Sequence, residues 1–257
     1  MIKNALVVMS GKGGVGKSTV AVNLCVMLAQ RGFKVGILDA DLCGPSVPKL
    51  LKVSDTVDVE QGPSGWLPIR LSVDSSSDDK EVKVMSMSFL LPKDNKDSAV
   101  IWRGPKKTSM IMKFLTSVDW SDLDYLIIDT PPGTSDEHIS VYEGLTEMRV
   151  CGKVIDVQAV IVTTPQLISL QDVDKQVAFC REIGLSIKGI IENMSGFVCK
   201  HCHACNNVLS TGGGSQLAVK YNISFLGSIP LDKNVSMNYG CSSVFEPIVL
   251  KITGDCQ

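Results

Sequence analysis

The segment with the clearest chemical potential is a loop rich in glycine and lysine, Gly11-Lys-Gly-Gly-Val-Gly-Lys-Ser-Thr19. It fits the pattern G-x-x-x-x-G-K-[ST], in which the glycines let backbone N–H groups surround a polyphosphate. Lys17 is suited to the β- and γ-phosphates, and the Ser18 hydroxyl can bind Mg²⁺. An apolar run, Ala5–Met9, precedes the loop, and a helical pattern, Val20–Gln30, follows it. This strand–loop–helix context predicts an ATP site at a helix N-terminus. Its predicted binding residues are Gly11, Lys12, Gly13, Gly14, Val15, Gly16, Lys17, Ser18 and Thr19.

Carboxylates follow two other apolar strands of the chain. Asp39 ends the run Lys34–Asp39, Asp41 comes two residues later, and Asp129 ends the run Tyr125–Asp129. Hydrolysis of a γ-phosphate needs a positioned water and a metal shell, and carboxylates supply both. An apolar run followed by Asp predicts that Asp129 holds Mg²⁺ through water. Asp39 and Asp41 are predicted catalytic residues together with Lys17, and the sequence does not divide the roles of the two aspartates.

The segment after Asp129 is typical of a switch loop. Its Pro-Pro-Gly stretch, 131–133, could rearrange beside a γ-phosphate when that phosphate is hydrolysed. Glu137 and His138 follow at the start of a helical pattern. We expect these two side chains to cap or to pack rather than to catalyse.

Three cysteines with metal-ligand spacing form the second informative group. Cys199, Cys202 and Cys205 have the spacing C-x2-C-x2-C, and thiolates are ligands for zinc and for iron–sulfur clusters. Two arrangements remain open. His201 or His203 could complete a zinc site within one chain, or two cysteines from each of two subunits could build a four-thiolate site. The other cysteines are scattered and expected to be small core or surface residues: Cys25, Cys43, Cys151, Cys180, Cys241 and Cys256.

Composition excludes several function classes. The chain has 25 basic and 27 acidic residues and a net charge of −2, which favours neither nucleic acid nor an anionic membrane as a partner. No apolar stretch approaches the roughly 20 residues of a membrane span. The first strand is predicted to begin almost at Met1, so we expect no presequence before it. A nucleotide site combined with nine cysteines indicates a reducing, cytoplasmic location, where clustered cysteines more often bind metal than form disulfides.

Strand and helix patterns alternate along the chain. This alternation predicts an α/β fold with a doubly wound, mostly parallel sheet covered by helices on both faces, and ligands beyond the carboxyl ends of the strands. We expect one P-loop ATPase domain over 1–257, with a cysteine segment at 196–211. The predicted strands are Ala5–Met9, Lys34–Asp39, Val82–Phe89, Ala99–Trp102, Tyr125–Asp129, Asp156–Thr163, Ile187–Asn193 and Ser224–Ile229. The predicted helices are Val20–Gln30, Pro105–Ser117, Glu137–Thr146, Gln166–Ile183 and Gly214–Lys220. The polar stretch Ser72–Lys80 is expected to be a mobile surface loop.

The second lysine of the loop makes it resemble the deviant Walker A loop of the ParA/MinD-like ATPases. The resemblance implies that Lys12 reaches the nucleotide of the other subunit in a dimer, as a catalytic residue beside Lys17. It also implies that Asp39 and Asp41 share water positioning and outer-shell contact with Mg²⁺. Asn193 follows a further apolar strand, and the resemblance makes it the residue that reads adenine, a role that an amide can fill as both donor and acceptor.

Longer motifs narrow this resemblance to the Mrp-type ATPases and, within them, to the cytosolic iron–sulfur cluster assembly scaffold proteins. The motifs are Leu38-Asp-Ala-Asp-Leu-Cys-Gly-Pro-Ser46, Trp102-Arg-Gly-Pro-Lys-Lys107, Asp129-Thr-Pro-Pro-Gly-Thr-Ser-Asp-Glu-His138 and Glu192-Asn-Met-Ser-Gly-Phe197. We expect no extra N-terminal four-cysteine segment of the kind that the longer scaffold paralogue carries, so the chain resembles the short paralogue. Lys200 replaces the usual proline of the Cys-Pro-x-Cys motif.

This resemblance implies a slow Mg²⁺-dependent ATPase that assembles a labile [4Fe–4S] cluster. Cys199 and Cys202 of each subunit are the implied bridging ligands, and Cys205 is an uncertain third. The implied partners are a second copy, the longer paralogue, targeting factors and the apoproteins of cytosol and nucleus that receive the cluster. Two alternatives compete: a zinc-stabilised regulatory ATPase, and a partitioning or membrane-positioning ATPase. The tail Ile248–Gln257 is too short and too little basic to favour the latter.

Overall fold

The computed structural model describes most of the chain, and helices separate most of the strands of its main sheet. The described residues are 1–54, 57–63, 65–73, 80–91, 103–198, 205–206, 212–232, 235, 239 and 242–255. The strands are β1 (Ile2–Met9), β2 (Val35–Asp39), β3 (Gln61–Gly62), β4 (Gly65–Trp66), β5 (Ile69–Ser72), β6 (Glu81–Ser86), β7 (Leu123–Asp129), β8 (Val154–Thr163), β9 (Ser186–Glu192), β10 (Phe197–Val198), β11 (Cys205–Asn206) and β12 (Phe225–Ser228). The helices are α1 (Lys17–Gln30), α2 (Val47–Leu50), α3 (Gly104–Thr116), α4 (Asp136–Val150), α5 (Leu167–Ile183), α6 (Gly213–Tyr221) and α7 (Ser242–Thr253).

Eight of these strands form one sheet, in the order β12-β9-β8-β1-β7-β2-β6-β5. Strand β2 runs parallel to both β6 and β7, and β9 runs parallel to both β8 and β12. Edge strand β5 is antiparallel to β6. Non-consecutive neighbours in a parallel sheet require crossover connections, which the helices supply. The predicted α/β class with a mostly parallel sheet is confirmed.

Two compact units divide the chain. The first comprises 1–7, 28–131 and 135–157, and the second comprises 8–27, 132–134 and 158–257. The first unit has the centre of its sheet at β2, whose five residues are all buried. The second unit has an apolar cluster that joins β8, α5, β9 and α6: Ile161, Val173, Val177, Ile190 and Ala218. The single domain expected over 1–257 stays a prediction.

Most predicted elements lie within a few residues of the observed ones. The strand predicted over Val82–Phe89 is observed as β6, which ends at Ser86 because Met87–Phe89 forms a 3₁₀ turn. The Ser86 hydroxyl caps this turn by accepting from the Ser88 N–H. Ser72, expected to be in a loop, is the last residue of β5. The predicted strand Ala99–Trp102 and the predicted polar loop at 74–79 lie outside the described residues.

Helix α7 was not predicted. It contains Pro247, which interrupts a helical pattern in the sequence. Its apolar residues Phe245, Ile248 and Val249 are buried in the second unit, each at most 1% exposed. The apolar part of the tail therefore belongs to the core of the protein.

Candidate functional site

The phosphate loop connects the end of β1 to the start of α1 and is shaped by two glycines. Gly14 and Gly16 have φ angles of +81° and +83°, in the left-handed region that L-residues with a Cβ avoid. Helix α1 then begins at Lys17, whose side chain is 6% exposed. A helix N-terminus presents unpaired N–H groups and a positive dipole end, so this loop is built to bind an anion. Lys12 is exposed at the loop surface.

The loop is held from the side by Asn193, which follows β9. Its Nδ2 donates to the Val15 carbonyl at 2.8 Å, and the side chain is buried. A Cβ on Gly16 would overlap this Nδ2. Glycine at 16 is thus required both by the backbone angle and by the closeness of Asn193. The adenine contact expected of Asn193 stays a prediction; here its nitrogen holds the loop.

Helix α5 packs against the first glycine of the loop. A Cβ on Gly11 would lie 2.9 Å from the Asp172 carbonyl oxygen and would overlap the Cβ of Asp172. Asp172 also pairs with Lys175, with 3.0 Å between the Lys175 Nζ and the Asp172 Oδ1. A Cβ at position 11 would therefore clash with helix α5. No pattern in the sequence predicts this contact.

The predicted switch loop is bonded to the residue that precedes the phosphate loop. The Gly133 N–H donates to the Ser10 carbonyl at 2.8 Å, and the Gln176 Nε2 donates to the Gly133 carbonyl at 3.0 Å. The Ser10 hydroxyl in turn donates to the Lys12 carbonyl at 3.1 Å. A displacement of Gly133 would therefore act on the first residues of the phosphate loop through Ser10. Gln176 was not among the predicted site residues.

The two aspartates after β2 have different surroundings in the first unit. Asp39 is fully buried, and its Oδ2 accepts from the N–H groups of Ser46 and Val47 at 2.9 and 3.1 Å. The Ser86 hydroxyl donates to the same oxygen at 3.3 Å. Asp41 is half-buried and accepts from Gly44, with 3.0 Å between the Gly44 N and the Asp41 Oδ1. Asp39 thus holds the following chain in place, whereas Asp41 keeps solvent access.

Asp129 ends β7 directly beside Asp39. The two residues are register partners in the parallel pair β2–β7, and both are fully buried. The Ala40 N–H donates to the Asp129 carbonyl at 2.8 Å, which fixes the strand ends against each other. Two buried carboxylates side by side require donors or a cation close by.

The start of α4 confirms the structural roles expected of Glu137 and His138. The His138 Nδ1 accepts from the Ser135 N–H at 3.2 Å and closes a capping box. The Glu137 Oε1 lies 2.7 Å from the Lys107 Nζ on α3. Hydrogen bonds from Lys107 to Glu137 and to Cys43 raise the pKa of the lysine. Burial alone would raise the pKa of Glu137, but hydrogen bonds from Lys107 and Ser135 outweigh burial and hold that pKa below its usual value.

Within the cysteine segment, the structure describes residues 196–198 and 205–206. Cys199 and Cys202, with His201 and His203, lie outside the described residues. Strands β10 and β11 pair antiparallel, so that Cys205 stands opposite Val198. The backbone of Cys205 therefore lies across the ladder from the residue that precedes Cys199.

The scattered cysteines divide as expected wherever the structure describes them. Cys25 and Cys180 are buried, and Cys43 and Cys151 are exposed. Burial raises the pKa of the Cys25 thiol, and it raises the pKa of the Cys180 thiol to about 12. Cys241 and Cys256 are outside the described residues.

Glu192, the last residue of β9, is a buried charged residue that the sequence patterns did not single out. It is 1% exposed, and it accepts hydrogen bonds from Gly212 and Gly214 at the start of α6. A signal was available, because an acidic residue ends the otherwise apolar run Gly189-Ile-Ile-Glu192. A buried carboxylate requires donors, and the Gly-Gly-Gly stretch at 212–214 supplies them.

A phosphate loop between the first strand of a mostly parallel sheet and the following helix defines a P-loop NTPase. The cell division ATPase MinD of Pyrococcus furiosus has this fold: the match covers 98% of this chain and 99% of MinD, with a TM-score of 0.62 and 20% identity. The nucleotide-binding protein of Archaeoglobus fulgidus, solved in complex with ADP and with cobalt found in it, is 35% identical. That match covers 97% of this chain and 87% of the archaeal protein, with a TM-score of 0.74.

Residues 1–249 match the ParA-type family described as NUBPL iron-transfer P-loop NTPase, and the chain belongs to this family. The cytosolic Fe-S cluster assembly factor Nubp2 homolog of Drosophila melanogaster is 51% identical over 242 residues, 94% of this chain and 88% of the relative. The homolog of Anopheles gambiae is 53% identical over 234 residues, covering 91% and 85%. NUBP2 of Gallus gallus is 49% identical over 237 residues, covering 92% and 82%.

These matches confirm the predicted resemblance to the iron–sulfur cluster assembly scaffold proteins at the level of the family. The predicted cytoplasmic location agrees with the word cytosolic in the relatives' names. None of the helices in the described part of the chain has the length and apolar character that a membrane span requires.

Proposed function

We propose that the protein is a cytosolic ATP-dependent scaffold that assembles a labile [4Fe–4S] cluster between two subunits and passes it to cytosolic and nuclear apoproteins. One observation carries this proposal. The phosphate loop is hydrogen-bonded, through Asn193 and the Val15 carbonyl, to the turn that leads into the cysteine segment. The proposed nucleotide site and the proposed cluster ligands would therefore be linked through this turn. The names of the relatives, which are Fe-S cluster assembly factors, support the same proposal.

ATP is the proposed substrate of the phosphate loop. Lys17 would neutralise the β- and γ-phosphates, and the loop amides would donate to phosphate oxygens. The Ser18 hydroxyl is an oxygen donor that suits Mg²⁺, which would neutralise charge that develops on the phosphates. The water-mediated contact of Asp129 with the metal stays a prediction. The proposed activity is that of a slow Mg²⁺-dependent ATPase in which the role of cluster carrier dominates.

We assign the water-positioning role to Asp41 and a structural role to Asp39. The carboxylate of Asp39 already accepts from Ser46, Val47 and Ser86, whereas Asp41 keeps solvent access. Asp41→Asn should therefore lower the ATPase rate and leave the urea midpoint close to wild type. Asp39→Asn should instead lower the urea midpoint, because it weakens the hydrogen bonds that hold the chain after β2. Equal losses of stability in the two variants would contradict this division.

A dimer is the proposed working unit, either of two copies or of this chain with the longer paralogue that carries an extra four-cysteine segment. Exposed Lys12 would reach the nucleotide bound by the partner. Leu167 and Ile168, at the start of α5, are 72% and 61% exposed. The same helix packs against Gly11 through Asp172. An exposed apolar pair beside a nucleotide loop suits a subunit interface.

Anaerobic reconstitution with iron and sulfide tests the scaffold function. Cys199 and Cys202 from two subunits supply four thiolates to one cluster. Cys199→Ala and Cys202→Ala should each abolish iron and sulfide uptake and weaken the dimer, and Cys205→Ala should do less. Cys151→Ala removes an exposed thiol outside the segment and serves as the matched control. The bound cluster should also be lost to an apoprotein acceptor, as monitored by its visible absorption.

A zinc-stabilised regulatory ATPase is the second candidate. The pairing of Cys205 with Val198 favours it, because this pairing sets the backbone of the third cysteine beside the residue next to Cys199. A site made of three thiolates of one chain and a histidine would suit zinc. This candidate requires one tightly bound zinc per chain and equal damage from all three cysteine changes. Stoichiometric zinc without iron uptake in anaerobically purified protein would overturn the scaffold proposal.

A further inference from the structure

The turn Glu192–Gly196, which begins at the last residue of β9, is held by hydrogen bonds to several neighbouring segments. Its first residue, Glu192, is a buried carboxylate with three donors. The Ser195 hydroxyl and the Gly212 N–H donate to Oε1 at 2.5 and 3.1 Å, and the Gly214 N–H donates to Oε2 at 2.5 Å. The Gly212 and Gly214 amides belong to the N-terminus of α6, where a negative charge is stabilised by the helix dipole. Glu192 thereby fills the anion site of this helix.

These three donors lie on both sides of the cysteine segment. Ser195 immediately precedes 196–211, and Gly212 immediately follows it. One carboxylate therefore bonds to both ends of the segment that carries Cys199, Cys202 and Cys205. Charge-assisted hydrogen bonds are shorter and stronger than neutral ones, so Glu192 fixes the distance between the two ends.

The next residue of the same turn is bonded to the phosphate loop. The Asn193 Nδ2 donates to the Val15 carbonyl at 2.8 Å, and the Asn193 N–H donates to the Thr163 carbonyl at 2.7 Å. Met194, which follows, has a φ of +56°, an uncommon conformation for a residue with a Cβ. Asn193 is therefore held both by its side chain and by its backbone N–H.

Backbone bonds to the chain after β12 complete the turn. The Ile229 N–H donates to the Glu192 carbonyl, the Ser195 N–H to the Ile229 carbonyl and the Leu231 N–H to the Gly196 carbonyl, each at 2.8 Å. The turn therefore has little freedom to absorb a displacement locally. A shift of the Val15 carbonyl must either break the bond to Asn193 or be passed to Glu192.

We propose that the turn Glu192–Gly196 is a positioning element through which nucleotide at the phosphate loop sets the separation of the two ends of the cysteine segment. Asn193 is its contact with the phosphate loop, and Glu192 is its contact with the segment. Neither residue needs to touch iron. This inference deepens the proposed scaffold function and rests on it, since it supplies the route by which ATP binding reaches the thiolates.

Hydrogen exchange of the peptides that cover 197–212, measured on the full chain with and without Mg·ADP, tests the inference. In wild type, nucleotide should change the exchange of these peptides. In Asn193→Ala, with saturation verified by calorimetry, this nucleotide response should be lost. In Glu192→Gln, the amides of Gly212 and Gly214 should exchange roughly tenfold faster or more without nucleotide. The variant removes the charge from both hydrogen bonds, and its amide nitrogen cannot accept the bond that one of the two carboxylate oxygens accepts. The nucleotide response should again be lost.

Ile190→Val is the matched control. Ile190 lies in the same strand and is fully buried in the core cluster, so this variant loses stability without touching the turn. It should keep the wild-type response. A purely structural role for the turn would raise exchange in all three variants and preserve the response in each, and that result would overturn the inference.

The outcomes also separate this inference from the scaffold function. An unchanged response in Asn193→Ala, or no response in wild type that binds Mg·ADP, overturns the inference and leaves the scaffold function standing. A response that depends on Asn193, in protein that takes up no iron, supports the inference and overturns the scaffold function.

Discussion

Replacement of Gly16 by alanine tests how the phosphate loop is held. Gly16 has a φ of +83°, and a Cβ at this position would overlap the Nδ2 of Asn193. That nitrogen is bonded to the Val15 carbonyl. The alanine methyl must therefore displace the Asn193 side chain and break its hydrogen bond, in addition to straining the backbone.

The size of the effect follows from these two contributions. An alanine in the left-handed region costs about 1–2 kcal/mol. Loss of the Asn193 bond leaves the carbonyl of buried Val15 without that donor, which costs about 1–3 kcal/mol more. Gly14 is the internal control, because its φ is +81° and a Cβ there would meet no atom within 4 Å. Gly14→Ala should therefore cost only the first amount.

Urea unfolding of nucleotide-free protein, followed by circular dichroism, measures both variants without any contribution from bound phosphate. Gly16→Ala should be less stable than Gly14→Ala by about 1–3 kcal/mol. The two variants share the same backbone strain, so this difference isolates the crowding at Asn193.

Equal destabilisation by the two alanines would refute this reasoning. The double variant Gly16→Ala/Asn193→Ala gives an independent check. Since Gly16→Ala already breaks the Asn193 bond, the two costs should fall short of additivity by about 1 kcal/mol or more. Additive costs would mean that Asn193 does not hold the loop at Gly16.

Three further predictions concern charged side chains. Lys17→Ala should weaken Mg·ATP binding by about 1.5–3 kcal/mol in calorimetry, and wild-type affinity would exclude Lys17 from the site. Lys12→Ala should lower hydrolysis more than binding, and mixing it with Lys17→Ala should restore part of the activity through one composite site per mixed dimer; verified mixed dimers without recovery would exclude a role in trans. Lys107→Met should lower stability by about 1 kcal/mol at pH 7 and by less at pH 3 in urea unfolding. The lowered pKa of Glu137 makes its contribution complete above the unfolded pKa and lost as pH falls through the folded pKa, so an equal loss at both pH values would contradict the pairing.

Chemistry that is local in the sequence was predictable without a structure. The phosphate loop occupies 11–19, and its glycines, lysine and serine act through backbone angles and a helix start that neighbouring residues dictate. The cap formed by His138 on Ser135 spans three positions and was expected for the same reason. The buried runs that became β2, β7 and β9 were visible because strands covered on both faces are continuously apolar.

Elements whose local signal is weak needed the tertiary structure. Strand β5 has four residues that alternate between half-buried and exposed, and it exists because β6 offers it a partner. Helix α7 contains Pro247 and is stabilised by burial of Phe245 and Ile248 rather than by its own pattern.

The hydrogen bonds that hold the site together depend on the tertiary fold, because they join residues that are far apart in the sequence. Asn193 and Val15 are 178 positions apart, and two of the donors to Glu192, Gly212 and Gly214, lie 20 and 22 positions downstream. The sequence by itself determined that an acid and an amide end a buried strand. Only the tertiary structure decided which amides and carbonyls meet them, because a buried polar group bonds to whatever donor or acceptor the folded chain brings within reach. The different roles of Asp39 and Asp41, two residues apart, follow from the same cause.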